Sequence, residues 1–298
     1  MGKKNTNLRG ILAYCSGDIY GGGAFVVVGT LFLRFLTDSA LISAGIAGTM
    51  LLVGKMWDAI IDPVIGNLTD NSRSKYGRRR VFFLAGVFHI GAAFIALWVP
   101  IGGSMAVRVI YYVVAYLLFA TSFSFTMVPY HAYLADISRS YQERNKTIGI
   151  RAVFSNVSSL VSGVVPLLLI GLFGWLGMGI FFGVFYTIPW IIVFIGTRRF
   201  PKEDPSLLPV HDKQPFSKQI MANLKAVSKN RSYRILLGIY IFAYATIDIF
   251  MAINIYYLVD YLELTGKFFG LEYPSLITGI FILCQIAAIV VYVKISNR

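Results

Sequence analysis

Eight long runs of apolar residues follow one another along the chain, separated by polar stretches. An α-helix needs roughly 20 mainly apolar residues to cross a membrane, and each run reaches about that length. The pattern therefore predicts an all-α polytopic membrane protein. The predicted spans are residues 11–36, 43–67, 81–101, 107–135, 150–173, 177–197, 233–259 and 270–293. The first run contains Asp18 and Arg34 and no small-residue cleavage site, so it is not predicted to be a signal peptide.

Composition supports insertion into a membrane. Hydrophobic residues make up 57% of the 298 positions, whereas soluble domains contain roughly 45–50% apolar residues even when Gly is counted. The two cysteines, Cys15 and Cys284, both fall inside predicted spans. Neither a disulfide nor a metal site is inferred from them.

The positions of the basic residues that give the net charge of +13 indicate how the chain is oriented in the membrane, and they do not indicate binding to nucleic acid. Most basic residues precede the first span or lie in the connections 2–3, 4–5 and 6–7. The alternate connections contain only Arg108 and Lys267. Cytoplasmic loops carry the excess of Lys and Arg, so both termini are predicted to be cytoplasmic in a multi-pass cell-membrane protein. The same charge favours contact with anionic membrane lipid. The sequence leaves the oligomeric state undefined.

The chain is predicted to form two bundles of unequal size. Residues 1–197 form a six-helix bundle, residues 198–231 form a cytoplasmic linker, and residues 232–298 contribute two helices of an incomplete second bundle. Within the linker, four apolar residues recur at helical spacing among lysines, which predicts a short amphipathic helix on the membrane surface. The alternative is a solvated linker. The four residues are Phe216, Ile220, Leu224 and Val227.

A short internal similarity supports the two-bundle organisation. Residues 13–20 and 243–250 share four identical positions, and each segment lies in the first helix of its predicted bundle. Parallel halves related by an axis along the membrane normal are typical of transporters.

Two carboxylates on the second span form the strongest candidate for chemistry. Asp58 and Asp62 are four residues apart and therefore share one face of a helix. A charge at mid-membrane costs about 2.5–3.5 kcal/mol on insertion scales, and two neighbouring charges cost more unless a cation or a proton lies between them. The pair is thus predicted to bind a cation, with Na⁺ as a possible metal ion. The alternative is that Lys55 and Arg151 neutralise both carboxylates.

Asp18 and Arg151 form a second candidate, for substrate. Charged groups make strong hydrogen bonds, so a buried Asp and Arg could hold sugar hydroxyls. The alternative is that they pair with each other and only hold helices together. Asp18 is followed by three glycines, Gly21, Gly22 and Gly23, which permit close helix approach.

Polar faces on the fourth and seventh spans supply further residues for the candidate cation and substrate sites. The fourth span carries a kinked polar face whose hydroxyls either ligate a cation or bond within their own helix. The seventh carries an aromatic and carboxylate stripe that suits a sugar ring, although such stripes usually pack in a core. The residues are Thr121, Ser124 and His131 on the fourth span, and Tyr244 and Asp248 on the seventh.

The connection after the second span is predicted to act as a conformational gate. Asp70 at the end of the helix is placed to pair with nearby arginines and lock the loop. The gate residues are Gly66, Asp70, Arg73, Gly77, Arg78 and Arg79. Phosphate-loop, zincin and serine-elbow motifs are absent from the sequence, so an enzyme is not predicted and no cofactor other than a coupling ion is expected.

Residues 57–80 resemble the second-helix motif of the glycoside–pentoside–hexuronide:cation symporters, the family of melibiose permease within the major facilitator superfamily. The resemblance is carried by Trp57, Asp58, Asp62, Pro63, Gly66, Asp70, Gly77 and the basic cluster 78–80. It extends over all eight spans, weakly outside the first, second, fourth and fifth, and implies a major facilitator-type bundle. Superfamily members resembling this chain have twelve helices, so it is expected to be a truncated product or fragment. Expressed alone, it is expected to be unstable or inactive in transport, unless another chain completes it.

The resemblance also implies roles for individual residues. Asp58 and Asp62 match the cation-site carboxylates, and Ser124 matches the position of a hydroxyl near that cation, with Thr121 beside it. Substrate contacts are expected at Asp18, Arg151, Tyr14, Met127, His131, Tyr244 and Asp248.

Three departures from melibiose permease limit the transfer of specificity. Ile61 replaces an amide of the cation site, which favours H⁺ over Na⁺. Met127 replaces a carboxylate that holds the galactoside, and His131 replaces a Trp. The expected function is cation-coupled symport of a sugar, glycoside or hexuronide by alternating access. The alternatives are a lysolipid or amphiphile carrier of the same fold and a non-transporting membrane receptor.

Overall fold

The computed structural model describes residues 8–138, 140–200, 229–264, 266–268 and 271–296. Eight helices account for most of these residues. Their bounds are α1 Leu8–Cys15, α2 Asp18–Arg34, α3 Ala44–Asp70, α4 Arg80–Ala96, α5 Met105–Ile137, α6 Tyr141–Gly196, α7 Arg231–Tyr256 and α8 Tyr273–Ser296. Short π-helical turns, Phe35–Ser39 and Tyr257–Tyr261, extend α2 and α7, and a 3₁₀ turn, Thr197–Arg199, follows α6.

The helices confirm the predicted polytopic membrane protein. Among the described residues, five helical stretches are long and apolar enough to cross a membrane, and α4 and the described part of α8 are shorter apolar helices. The first predicted span consists of α1 and α2, which are separated by Ser16 and Gly17. A two-stranded antiparallel ribbon, β1 Lys267–Phe268 and β2 Leu271–Glu272, was not predicted and precedes α8. The predicted amphipathic helix of the linker lies outside the described residues.

Helix α6 is a hairpin of two membrane-crossing arms, before and after Gly174. Gly174 has φ +70° and ψ −178°, a conformation that L side chains rarely adopt, and it interrupts the helix. Ser162 and Tyr186, twelve residues on either side, share a hydrogen bond of 2.7 Å between their hydroxyls. The chain therefore folds back on itself at Gly174, as the two predicted spans 150–173 and 177–197 require.

Close helix contacts hold α2 against the N-terminal arm of α6. A Cβ atom on Gly22 would lie 2.7 Å from the backbone of Ser155. Ser158 and Ser159 donate from that arm to the carbonyls of Ile19 and Gly22, at 2.6 and 2.9 Å. The glycines after Asp18 thus allow the close approach that the sequence predicted.

We expect Gly22→Val to destabilise the fold by about 1–3 kcal/mol, because the added side chain has no space between α2 and α6. Gly48→Val is the matched control, since a Cβ atom at Gly48 meets nothing within 4 Å. Thermal unfolding of both variants in detergent measures the difference. Equal stability would show that the two helices can separate at Gly22 without cost.

The ends of the bundle differ in how α7 and α8 pack. We call the end that carries the loop 71–79 the basic side, and the other end the opposite side. At the opposite side, Thr37 and Tyr256 share a hydrogen bond of 2.6 Å, and Arg34 pairs with Asp260 at 3.6 Å. Towards the basic side, α7 is exposed from residue 231 to 250, except at Gly238. In the described part of the chain, α7 therefore joins the first six spans mainly at the opposite side.

An aromatic cluster reinforces the first six spans at the opposite side. The rings of Trp98 and Trp175 stack with centroids 5.8 Å apart, and Phe35 packs against both at 5.5 and 5.2 Å. Trp98 and Phe35 are fully buried. Buried aromatic contacts of this kind favour a fixed arrangement of α2, α6 and the segment after α4.

Candidate functional site

Asp18 and Arg151 form a two-point ion pair between α2 and α6. Arg151 Nε donates to Asp18 Oδ2 at 2.5 Å, and Nη2 donates to Oδ1 at 3.1 Å. Asp18 is buried, and only 13% of the Arg151 side chain is exposed. The structure therefore brings together the two predicted substrate residues, but it pairs them with each other.

Two tyrosines enclose this ion pair. The Tyr130 hydroxyl donates to Asp18 Oδ2 at 3.0 Å, and the Tyr14 hydroxyl donates to the carbonyl of Tyr130 at 2.8 Å. The Arg151 guanidinium lies 4.6 Å from the Tyr130 ring centroid and 5.7 Å from that of Tyr14, which is cation–π geometry. Tyr14 thus lies beside the predicted substrate residues Asp18 and Arg151. The contact of Tyr130 with Asp18 was not predicted from the sequence.

The predicted cation-site residues lie on α3 and α5, which run parallel. Trp57 Nε1 donates to Thr121 Oγ1 at 2.8 Å, and about two turns further along both helices Gly66 faces Val128. This register places buried Ser124 at the level of α3 that lies between Asp58 and Asp62. The Thr121 hydroxyl also donates to the carbonyl of Leu117 at 2.7 Å. The Thr121 hydroxyl therefore donates its proton to Leu117 and accepts one hydrogen bond from Trp57, so its oxygen can accept one more.

The two carboxylates of α3 do not form ion pairs with Lys55 or Arg151, the partners proposed in the alternative interpretation of the sequence. In the described part of the chain, neither Asp58 nor Asp62 has an ion pair within 4.0 Å. Lys55 pairs instead with Asp248 on α7 at 3.0 Å, and Arg151 pairs with Asp18. Asp58 is half-buried and Asp62 is exposed. Lys55 and Arg151 thus form their ion pairs with other carboxylates, although Lys55 remains within electrostatic range of Asp58.

The remaining predicted substrate residues lie in different surroundings. Met127 is buried, and its Cε fills the space beside Gly21. His131 is exposed on α5, within electrostatic range of Arg151, Asp18 and Asp62. Tyr244 is half exposed and stacks on Tyr240, with centroids 4.1 Å apart. His131 thus lies near both carboxylate sites, whereas Tyr244 packs against a residue of its own helix.

The gate residues form a charged cluster at the basic side. Arg79 donates to Asp70 at 3.2 Å and to the carbonyl of Ala132 at 2.6 Å, and it also pairs with Asp136. Arg78 lies 3.8 Å from Asp70 and 3.7 Å from Asp136. This geometry supports the predicted pairing of Asp70 with nearby arginines. Asp136 at the end of α5 was not predicted as a gate residue. A carboxylate at the same end of the bundle as the arginine-rich loop could have suggested it as an ion-pair partner.

The other gate positions surround this cluster. Gly77 has φ +107°, which favours glycine and lets the loop turn into α4. Arg80 is buried and donates to Thr197 Oγ1 and to the carbonyl of Phe194, both at 3.1 Å. Arg73 is exposed in the same loop. The loop is therefore tied to α5 by Arg79 and to the end of α6 by Arg80.

No group of three or more His, Cys, Asp and Glu side chains suited to a metal ion occurs among the described residues. A Na⁺ ion at Asp58 and Asp62 would thus need hydroxyl, carbonyl or water oxygens as its further ligands. Oxygen ligands of this kind suit hard cations. Ser124 is a buried hydroxyl at the same level on α5 and remains the predicted contributor.

Comparison with known proteins gives a consistent picture. The family model described as MFS/sugar transport protein matches residues 13–298. The chain is similar to a putative glycoside/cation symporter of Escherichia coli, with 33% identity over 165 residues that cover 55% of this chain and 35% of the relative. It is similar to the isoprimeverose transporter of Lactiplantibacillus pentosus, with 24% identity over 73% of this chain and 46% of the relative.

A third relative comes from an animal. The chain is 28% identical to the sodium-dependent lysophosphatidylcholine symporter 1 of Xenopus tropicalis, over 54% of this chain and 32% of the relative. The chain spans less than half the length of these curated relatives.

Proposed function

Because this chain belongs to the family of MFS/sugar transport proteins, we propose that it carries out cation-coupled symport of a sugar or glycoside by alternating access. The observation that carries the proposal is the Asp58–Asp62 pair of α3. Both carboxylates lie within an apolar helix, and neither has a cationic partner within 4.0 Å among the described residues. A bound cation or proton would offset the cost of two neighbouring negative charges.

The asymmetric packing of α7 supports alternating access. With the basic loops in the cytoplasm, the bonds of Arg34 and Thr37 to α7 close the opposite, external end. Alternating access would require these external contacts to break when the site opens to the outside. The proposal includes cytoplasmic termini and the division into bundles at 1–197 and 232–298, joined by the linker 198–231.

Proton coupling is the preferred form of this mechanism. Ile61 supplies no oxygen ligand beside Asp58 and Asp62, whereas a pair of close carboxylates can share a proton without further ligands. We expect acidification to raise the affinity of the purified chain for a labelled sugar by about tenfold, the usual size of coupling between sites. Na⁺ at constant pH is expected to have little effect.

Equilibrium dialysis of the chain in nanodiscs against a panel of labelled sugars tests both statements. Each sugar is measured with Na⁺ or choline as the counter-ion, at low and at high pH. Strong enhancement by Na⁺ at constant pH, without an effect of pH, would reject proton coupling but keep the symporter. If no sugar binds under any condition, the sugar is the wrong substrate class.

A lysolipid carrier of the same fold is the second candidate, favoured by the lysophosphatidylcholine symporter among the relatives. A labelled lysophosphatidylcholine in the same assay distinguishes the two. Binding of the lysolipid that sugars do not displace would replace the sugar as the proposed substrate, while the cation site on α3 would be retained.

A further inference from the structure

A lysine on α3 links the first six spans to α7. Lys55 Nζ lies 3.0 Å from Asp248 Oδ2, and both side chains are about half exposed. Both residues lie in the interior of helices that are long and apolar enough to cross a membrane. Ionisable residues inside membrane-crossing helices are costly and usually functional. An ion pair at this place, between the two predicted bundles, is therefore a candidate for a role in transport.

The same lysine lies on the face of α3 that carries the candidate cation site. Lys55, Asp58 and Asp62 are spaced three and four residues apart, so they share one face of the helix. Lys55 and Asp62 both lie within electrostatic range of Asp58. A lysine ammonium is a compact charge at the end of a flexible four-carbon chain. Rotation of that chain can therefore carry the ammonium from Asp248 to Asp58.

Two aromatic side chains complete the surroundings of Lys55. Tyr116 on α5 is buried, and it lies within electrostatic range of both Asp58 and Asp248. The two carboxylates are therefore close to the same tyrosine, one on each predicted bundle. The Phe25 ring on α2 lies 5.5 Å from Lys55 Nζ, which is cation–π geometry. This contact stabilises the ammonium beside α3 without selecting one carboxylate over the other.

The charges around Lys55 make its partner depend on the cation site. When Asp58 and Asp62 are both negative, they attract the ammonium, and Asp248 loses its partner. When a cation or a proton neutralises that pair, the attraction to α3 is removed, and Lys55 favours Asp248. The arrangement in the structure, with Lys55 on Asp248, is the one that we assign to a neutralised Asp58. Cation binding and the contact between α3 and α7 therefore strengthen each other.

We propose that Lys55 is a positioning residue that couples the cation site to α7, because Asp58 and Asp248 compete for its ammonium. The inference rests on the proposed cation-coupled transport, and it names the side chain that transmits cation binding from the first predicted bundle to the second. A ligand shifts a conformational equilibrium only through contacts that differ between the two states. The exchange of Lys55 between two carboxylates is such a difference. It also gives Asp248, predicted as a substrate contact, a role in coupling.

Single substitutions of the two partners are expected to change cation affinity in opposite directions. Lys55→Met removes the positive charge that competes with the cation at Asp58, so cation affinity should rise by about fivefold to tenfold. Asp248→Asn leaves Lys55 to stay at Asp58, so cation affinity should fall by a similar factor. Lys55→Arg and Asp248→Glu are the matched controls. Because they keep both charges, they should keep the wild-type affinity within about twofold.

Cation affinity is measured on the chain in nanodiscs without sugar. Dialysis against radioactive Na⁺ gives the affinity for Na⁺, and the infrared band of protonated carboxyl groups, assigned through Asp58→Asn, gives that for H⁺. A monodisperse elution profile confirms folding. An ion pair that only holds α3 against α7 would lower stability in both variants and leave both cation affinities unchanged. That result would overturn the proposal.

The double variant Lys55→Met/Asp248→Asn shows whether Asp248 acts through the lysine. If it does, loss of Asp248 has no further effect once Lys55 is gone, and the double variant should match Lys55→Met in cation affinity. If Asp248 attracted the cation directly, its loss should lower cation affinity by the same factor with or without Lys55. Additive behaviour of this kind would contradict the role assigned to Lys55.

The distance between the two helices provides a second measurement. Spin labels at Leu52→Cys on α3 and Phe242→Cys on α7, two exposed positions, report this distance by pulsed electron paramagnetic resonance. Na⁺ or acidification should shorten it in the wild-type background. Neither should change it in Lys55→Met or Asp248→Asn. An equal change in the wild type and in both variants would show that cation binding reaches α7 by another route.

The remaining outcomes separate this inference from the proposed function. Opposite shifts in cation affinity, without binding of any sugar, would keep the role of Lys55 and reject sugar as the substrate class. Failure of the wild-type chain to bind Na⁺ or to take up a proton at Asp58 would reject both the cation coupling and the role of Lys55.

Discussion

Replacing either Asp58 or Asp62 by Asn is expected to abolish the dependence of sugar binding on the coupling cation, and with it any gradient-driven accumulation. Each Asn keeps the size and polarity of the side chain but removes the negative charge that attracts a cation or accepts a proton. Sugar exchange that does not require the cation should continue, because both variants leave the predicted substrate residues Asp18 and Arg151 unchanged.

The measurement compares sugar affinity with and without the cation in wild-type chain and variants. In the wild type, the cation raises sugar affinity, and by thermodynamic linkage the sugar raises cation affinity by the same factor. In Asp58→Asn and Asp62→Asn, both effects should disappear. Asp38→Asn serves as the control, because Asp38 is a partly exposed carboxylate that pairs with Arg34 at the opposite side. If both α3 variants keep the cation effect, the cation binds elsewhere.

The spans were predictable because each requires a long apolar run, and the backbone of a helix satisfies its own hydrogen bonds in lipid. The break at Gly174 lies between two predicted apolar runs, so the hairpin of α6 could also be predicted from the sequence. Asp58 and Asp62 stood out for the same reason, as charges within an apolar run. These features depend on local sequence alone.

The partners of the charged residues could not be predicted in the same way. Lys55 precedes Asp58 by three residues on α3, yet its ammonium reaches Asp248 on α7, since the packing of α7 decides which carboxylate lies within range. Asp136 was missed because a carboxylate at the end of a helix is ordinary, and only the fold of the loop brings Arg79 to it.

Removing the positive charge of Arg151 is expected to have the largest effect on stability of any single change. Arg151→Met leaves Asp18 buried without its counter-ion. Breaking a buried ion pair from one side costs about 3–5 kcal/mol, because the remaining charge has lost both water and partner. The hydrogen bond from Tyr130 to Asp18 remains, but a neutral hydroxyl compensates only part of that cost. Thermal unfolding in detergent should therefore show a much larger loss for Arg151→Met than for Gly22→Val.

The double variant Asp18→Asn/Arg151→Gln separates a structural role from substrate binding. It removes both charges and keeps amides that can bond across the same gap, so we expect it to regain most of the stability lost in Arg151→Met. Its sugar affinity then decides between the two interpretations offered by the sequence. Loss of binding in this folded variant would support a direct contact of the ion pair with the sugar, because the charges would matter beyond the fold. Retained binding would leave Asp18 and Arg151 as the residues that hold α2 against α6. An unfolded double variant would contradict the expected recovery and show that the charges themselves, with their enclosure by Tyr14 and Tyr130, are needed to form this part of the bundle.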